Sequence, residues 1–209
     1  SRGLGDVYKR QAYDLVVLES SRPDMDLKAV VKEASQYVKQ GGCLVFACEN
    51  ALGLCFLSGA VHDEDESAFT KGELEAAFRE AGLGTVEFYY PMPEYKRAQT
   101  VYSDRYLPGK GDIPHVTAVY DRQRWACIHE DEISDKLVQE KAFGLFANAY
   151  LAVASKEQEP FDTIFAKYNR TRKPQFQIRT RILEENGKRY VEKAALTEAS
   201  GAHIGSMEE

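Results

Sequence analysis

The chain has 209 residues, 27 of them Lys or Arg and 33 Asp or Glu, for a net charge of −6. With 44% hydrophobic and 11% aromatic residues it can bury a core, which excludes a disordered or low-complexity chain. No apolar run approaches the ~20 residues that a membrane-spanning helix needs, and the negative balance does not suit the phosphate contacts of a general nucleic-acid binder.

The first segment, Ser1–Gln11, has no apolar periodicity and resembles a translated sequencing adapter. It is expected to be non-native and to stay out of the fold, with the authentic protein extending upstream of Ala12. Tyr13–Glu19 then reads as a buried strand, and Leu27, Val30, Val31, Ala34 and Val38 give a helix that starts near Pro23 and is stopped by Gly41-Gly42. Cys43–Cys48 is a second buried strand. The acidic run Asp63–Glu66 reads as a solvated surface, and Thr70-Lys71-Gly72-Glu73 is a capping box opening a helix that ends at Gly82.

Thr85–Tyr90 predicts a third strand, broken by Pro91 and Pro93. Glu94 to Arg124 reads as a long connection rich in Tyr, Pro, Gly and Asp. A helix is expected over Ser134–Phe143, with Trp125 just before it as a core residue, and Ala149–Ala154 closes the set as a strand. Strand–helix alternation of this kind predicts an open α/β sheet with helical crossovers. Residues 13–18 and 43–48 should be parallel neighbours, with Glu19 and Glu49 on one edge of the sheet.

Near residue 156 the texture changes. Residues 163–193 hold nine basic against three acidic side chains, whereas the first 155 hold 17 basic and 24 acidic. Lys156–Pro160 reads as a linker. Phe176–Thr180 and Lys188–Ala194 read as strands of a hairpin turned at Asn186-Gly187. Gly201–Glu209 reads as a frayed polar end. Cys43, Cys48, Cys55 and Cys127 show neither a CxxC pair nor metal spacing and read as free thiols. No metal site is expected, and His62, His115 and His129 read as surface or core histidines.

Gly41–Asn50, with its glycine pair, buried strand and polar end, resembles the fifth-strand region of class I S-adenosylmethionine-dependent methyltransferases. Tyr13–Glu19 is similar to the fourth strand of the same fold. Glu49–Leu54, Tyr89–Lys96 and Tyr102–Pro108 resemble motifs of a bacterial subgroup found with surface-polysaccharide glycosyltransferases, and the resemblance covers roughly residues 12–155. It implies a partial Rossmann-like methyltransferase sheet, parallel apart from one antiparallel closing strand, followed by a small β-hairpin extension. In domain terms this gives 1–11 as non-native, 12–155 as the carboxyl half of a methyltransferase domain, and 156–209 as a linker and the start of a second β-rich domain continuing beyond Glu209.

What the resemblance implies for function is methyl transfer from S-adenosylmethionine to a glycan or glycan precursor in the cytoplasm. Glu19 and Glu49 are the candidate catalytic carboxylates, and Glu19 with Ser20 the candidate cofactor contacts. Asn50, Tyr95, Tyr102 and Tyr106 are the candidate acceptor contacts, the tyrosines as part of an aromatic wall with Tyr89 and Tyr90. Each has a plainer alternative: loop carboxylates, a turn asparagine and a packed tyrosine-rich loop. The glycine-rich cofactor turn of the family, followed by an acid that grips the ribose, has no counterpart between Ala12 and Ser155, so cofactor binding by this chain is expected to be weak. Alternatives from other classes are a scaffold module of a polysaccharide-assembly protein and a nucleotide-sugar enzyme. Gln177–Thr180 and Tyr190–Lys193 look somewhat like the opening hairpin of a protein-kinase-like lobe, with Lys193 then a phosphate contact and a surface lysine otherwise.

Overall fold

The computed structural model describes residues 11–62, 64–113, 127–157 and 161–205. The expectations for residues 1–10, His115 and Trp125 lie outside these. The first strand, β1 (Tyr13–Glu19), pairs in parallel with β2 (Val38–Glu49), Leu15 opposite Cys43 and Glu19 opposite Ala47. Between them, α1 spans Leu27–Ser35, and the Asp26 side chain caps it by accepting from the Ala29 amide at 3.1 Å. Pro23 therefore precedes the helix instead of entering its first turn. The helix also stops before the glycine pair. Gly41, at φ 76°, and Gly42 lie inside β2, and a Cβ on Gly42 would sit 2.8 Å from the Asp14 carbonyl oxygen of β1. Their role is to let two backbones approach at the point where the β1–β2 register shifts.

After a short α2 (Leu54–Leu57), the helix α3 (Lys71–Glu80) opens on a complete capping box: Glu73 Oε2 accepts from the Thr70 amide at 2.8 Å and Thr70 Oγ1 from the Glu73 amide at 3.3 Å. Gly82, at φ 78°, follows its end. Strand β3 (Thr85–Met92) runs through Pro91, and β4 (Thr100–Ser103) returns antiparallel beside it. Then come α4 (Glu130–Gln139), the single turn α5 (Phe143–Phe146) and β5 (Ala149–Ser155), which lies between β2 and β3 and is antiparallel to both. Strand β6 (Thr163–Tyr168) pairs with β4, then β7 (Ile178–Glu185) and β8 (Lys188–Ala195) form a hairpin turned at Asn186-Gly187, both at positive φ. The helix α6 (Glu198–Gly205) follows, so residues 201–205 are helical where a frayed end was expected.

Among the described residues eight strands form one sheet in the order β1-β2-β5-β3-β4-β6-β7-β8. Of their seven pairings β1–β2 is parallel and the other six are antiparallel. The expectation of a partial Rossmann-like sheet, parallel but for one closing strand and followed by a separate hairpin extension, is therefore corrected to a mixed, mainly antiparallel sheet with few helices. Its cause is two strands hidden in the sequence. The four-residue β4 sits in a segment that reads as loop, and β6 buries only Ile164 and Ala166 of its six residues. Together they join the hairpin to the sheet by short antiparallel links that need no crossover helix.

The main core lies on one face of the sheet, where Leu44, Phe46, Phe88, Tyr90, Tyr150 and Ala152 meet α1 and α3 through Val31, Leu74 and Phe78. At one margin β1 is the outermost strand. Leu15 and Val17 are 50% and 63% exposed, and an open apolar groove of about 440 Å³ runs between β1 and α1. The described cysteines are free thiols: Cys43, Cys48 and Cys55 buried, Cys127 exposed. No helix among the described residues is long and apolar enough to cross a membrane.

Candidate functional site

Parallel strands place their carboxyl ends side by side, so β1 delivers Glu19 and Ser20, and β2 delivers Glu49 and Asn50, to one edge of the sheet. The link from β2 to α3 is held against that edge by its own backbone. The Phe69 amide donates to the Glu49 carbonyl at 3.1 Å, the Ala51 amide to the Phe69 carbonyl at 3.3 Å, and Ser67 bridges the Met25 amide and the Arg22 carbonyl at 2.9 Å each. Two side chains of this link, His62 and Glu66, are thereby carried to the strand ends.

His62 Nδ1 lies 2.8 Å from Glu49 Oε2, and its ring stacks on Phe56 with centroids 3.7 Å apart. Glu49 is the more enclosed of the pair, its side chain 18% exposed against 39% for His62. Glu66 belongs to the acidic run expected to be solvated, yet its side chain is only 8% exposed. It accepts from the Tyr95 hydroxyl at 2.7 Å through Oε2 and pairs with Lys96 through Oε1. Burial pushes the Tyr95 phenol pKa up, and so do the hydrogen bond to Glu66 and the negative charges of Glu66, Glu19 and Glu49. That phenol thus stands in the field of all three carboxylates. Glu19 is exposed at the end of β1, whereas Ser20 is wholly buried, its hydroxyl without a hydrogen-bond partner among the described residues.

Asn50 reaches the same edge but faces inward. Its Nδ2 donates to the carbonyls of Leu145 and Ala147 at 2.9 and 2.7 Å, and its Oδ1 accepts from the Leu52 amide at 2.9 Å. The neighbouring Asn148 works likewise, accepting from the Cys55 amide and donating to the Pro93 carbonyl. These two amides tie α2, α5 and the start of β5 into a floor beneath the strand ends.

The five tyrosines do not form one wall. Tyr102 and Tyr106 pack on Phe165, with centroids 5.4 and 5.1 Å away, and Arg189 lies over the Tyr106 ring. Tyr89 donates to Glu87 and to the Thr163 carbonyl, and Tyr90 hydrogen-bonds Asp104 and Lys71. Of the set, Tyr95 alone stands with the carboxylates. Glu19, Glu49 and Tyr95 are therefore brought together, while Asn50, Tyr102 and Tyr106 are held in packing roles. His62, Glu66 and Lys96 join the group without having been marked in the sequence. The signal for Glu66 and Lys96 was at most their adjacency to an acidic run and to Tyr95.

A methyl donor such as S-adenosylmethionine needs a cradle for its adenosine, and the described residues do not fit one. β1 runs into Glu19-Ser20-Ser21-Arg22-Pro23, without glycine. The glycine after β2, Gly53, is required by its own chain, since a Cβ there would meet Phe56 at 2.8 Å and the Asn50 carbonyl at 3.0 Å. What the edge does offer is a set of hydrogen-bond acceptors and one imidazole, suited to binding a polyhydroxylated or amino-bearing molecule and to moving a proton. Neither a scan against protein-family models nor a search of curated proteins finds a match to this chain.

Proposed function

We propose that this chain carries the acceptor-binding part of an enzyme that transfers a methyl group from S-adenosylmethionine to a hydroxyl or amino group of a glycan or glycan precursor. The observation that carries the reading is the convergence of Glu19, Glu49, Glu66 and Tyr95, with His62 and Lys96, at the carboxyl ends of the parallel pair β1–β2. Sugar hydroxyls are both donors and acceptors, and carboxylates beside a phenol and an ammonium group answer both functions. The motif resemblance over residues 12–155 supplies the class of reaction. Glu19 is assigned to the rim, where donor and acceptor would meet, and the cytoplasm is the compartment that suits a nucleotide-activated precursor.

The test uses the 209-residue chain directly. Calorimetry with S-adenosylmethionine is expected to show little or no binding, while a nucleotide sugar or a methyl glycoside shifts the NMR signals of His62 and Tyr95. Micromolar binding of the donor would overturn the assignment of an acceptor part alone, and unmoved His62 and Tyr95 signals across a panel of sugars would overturn the glycan reading. The exposed apolar margin of β1 favours a second reading, a non-catalytic scaffold module, which predicts that neither small molecule binds.

A further inference from the structure

Glu49 is the candidate base that the sequence marks, yet its Oε2 is engaged by an imidazole. Glu66 has both carboxylate oxygens engaged, one by Tyr95 and one by Lys96. His62 differs. A carboxylate at 2.8 Å from Nδ1 accepts a hydrogen bond, so the proton of the neutral ring sits on Nδ1 and the lone pair on Nε2. Nε2 makes no hydrogen bond among the described residues, and the side chain is 39% exposed. The stacked Phe56 fixes the plane of the ring, and Phe56 is itself held in α2, whose Cys55 amide donates to Asn148 Oδ1 at 3.0 Å. An enclosed carboxylate, the imidazole it orients and an open nitrogen are therefore joined at the edge that also carries Tyr95 and Glu66.

From this we infer that His62 takes the proton from the acceptor's hydroxyl through Nε2, and that Glu49 positions His62 instead of acting as the base. The inference rests on the methyl-transfer reading only for the identity of the group the acceptor oxygen later gains. In the proton step the acceptor O–H bond breaks and an Nε2–H bond forms. The oxygen keeps the electron pair and becomes the stronger nucleophile, and the imidazolium, with both nitrogens protonated, is stabilised through Nδ1–H by the Glu49 carboxylate. Glu49 gains no proton.

The geometry can be read without donor or acceptor. Long-range proton–nitrogen NMR on the ¹⁵N-labelled chain is expected to find Nδ1 protonated and Nε2 bare at neutral to mildly alkaline pH. Diethyl pyrocarbonate, which acylates a bare imidazole nitrogen, is expected to modify His62 at Nε2. Glu49→Gln should slow that acylation by roughly tenfold or more, because its amide, unlike the acceptor-only carboxylate, can donate to Nδ1 and move the ring proton to Nε2, and Glu49→Asp should restore part of it. An Nε2-protonated ring, or equal acylation rates in wild type and Glu49→Gln, would overturn the assignment. If the tautomer and the acylation stand while no methyl passes from S-adenosylmethionine to any sugar in any extended form of the chain, the methyl-transfer reading falls and the base assignment stays.

Discussion

Two clusters in this molecule are built from the same three kinds of side chain. At the strand ends, Tyr95 donates to Glu66 and Lys96 pairs with the same carboxylate. Under α3, Tyr90 hydrogen-bonds Asp104, and Lys71 reaches both, lying 2.9 Å from the Tyr90 hydroxyl and 2.9 Å from Asp104 Oδ1. The surroundings separate them. Tyr90 is fully buried among Phe143 and Tyr150, Asp104 Oδ2 accepts from the Phe88 amide, and Lys71 lies 4.5 Å over the Phe88 ring. Tyr95 is half-buried, in the field of the Glu66, Glu19 and Glu49 carboxylates. The inner cluster joins α3 to β3 and β4 around a fully buried phenol, while the outer one ties the link after β2 to Tyr95 and Lys96 around a half-buried phenol. The same kinds of side chain are enclosed differently in the two places.

The largest effect that sharpens this contrast is expected at Tyr90. Tyr90→Ala should cost about 3–5 kcal/mol in denaturant unfolding, and a cost below about 1 kcal/mol would remove the structural role of the inner cluster. Gly144→Ala probes the same spot from the other side. Its Cβ would lie 2.5 Å from the Tyr90 hydroxyl oxygen, and an overpacking cost of about 1–3 kcal/mol is expected. Asn50→Ala tests whether a residue at the strand ends serves the interior. With the Ala147 carbonyl left unsatisfied and the Leu145 carbonyl left to the Tyr150 hydroxyl, a loss of about 1–3 kcal/mol is expected, and a variant of wild-type stability would return Asn50 to the acceptor contacts. At the small end, Tyr95→Phe should change stability by about 1 kcal/mol or less while abolishing the sugar-induced shift at His62. A large loss of stability there would make the two clusters alike.

Alkaline pH reads how enclosed the phenols are, Tyr95 at the strand ends included. Burial, helped by Asp112 and Tyr106, pushes the Tyr102 phenol up to about 12 from an ordinary value near 10. Burial is also the leading cause of the upward shifts at Tyr89, Tyr90 and Tyr150. A pKa raised by folding means that the neutral phenol is favoured in the native state. The stability it contributes is complete below about pH 10 and is lost as pH climbs toward about 12. The melting temperature is therefore expected to drop steeply over that interval, and less steeply in Tyr102→Phe. A profile for that variant superimposable on the wild type would show that Tyr102 ionises as freely as an exposed phenol.

What could be read from the chain follows from the range of the interactions. The Thr70–Glu73 box and the Asn186-Gly187 turn are local devices, closed within a few residues, and both sit where their residues indicate. The strands β1 and β2 announce themselves by aliphatic content, but only β2 is buried: β1, read as a buried strand, is an edge strand with no buried residue. By contrast, β4 and β6 are strands through pairing on both sides, β4 with β3 and β6 with β7, and the two meet across some 60 residues, Val101 opposite Ala166; neither carries the alternation or the length that marks a strand by itself. The same limit hid half of the candidate site. Glu49 and Tyr95 stand in marked motifs, but His62 becomes interesting only through Glu49 and Phe56, and Glu66 only through Tyr95 and Lys96. Both sit in a link whose composition reads as solvent-facing. Conversely Tyr102 and Tyr106, which composition made attractive, are claimed by Phe165.

The position of β5 has a consequence for how the molecule is made. Its residues pair with β2 on one side and β3 on the other, with Ser155 opposite Cys43 and Thr85, yet they leave the ribosome about a hundred residues after Cys43. Until then β2 and β3 each present an open row of amides and carbonyls beside apolar side chains, in a nascent chain that cannot yet join them. Folding is therefore gated by synthesis of the 149–155 segment. Pausing translation just before it should leave the polypeptide sensitive to protease and bound to chaperones, and pausing well after it should release a compact domain.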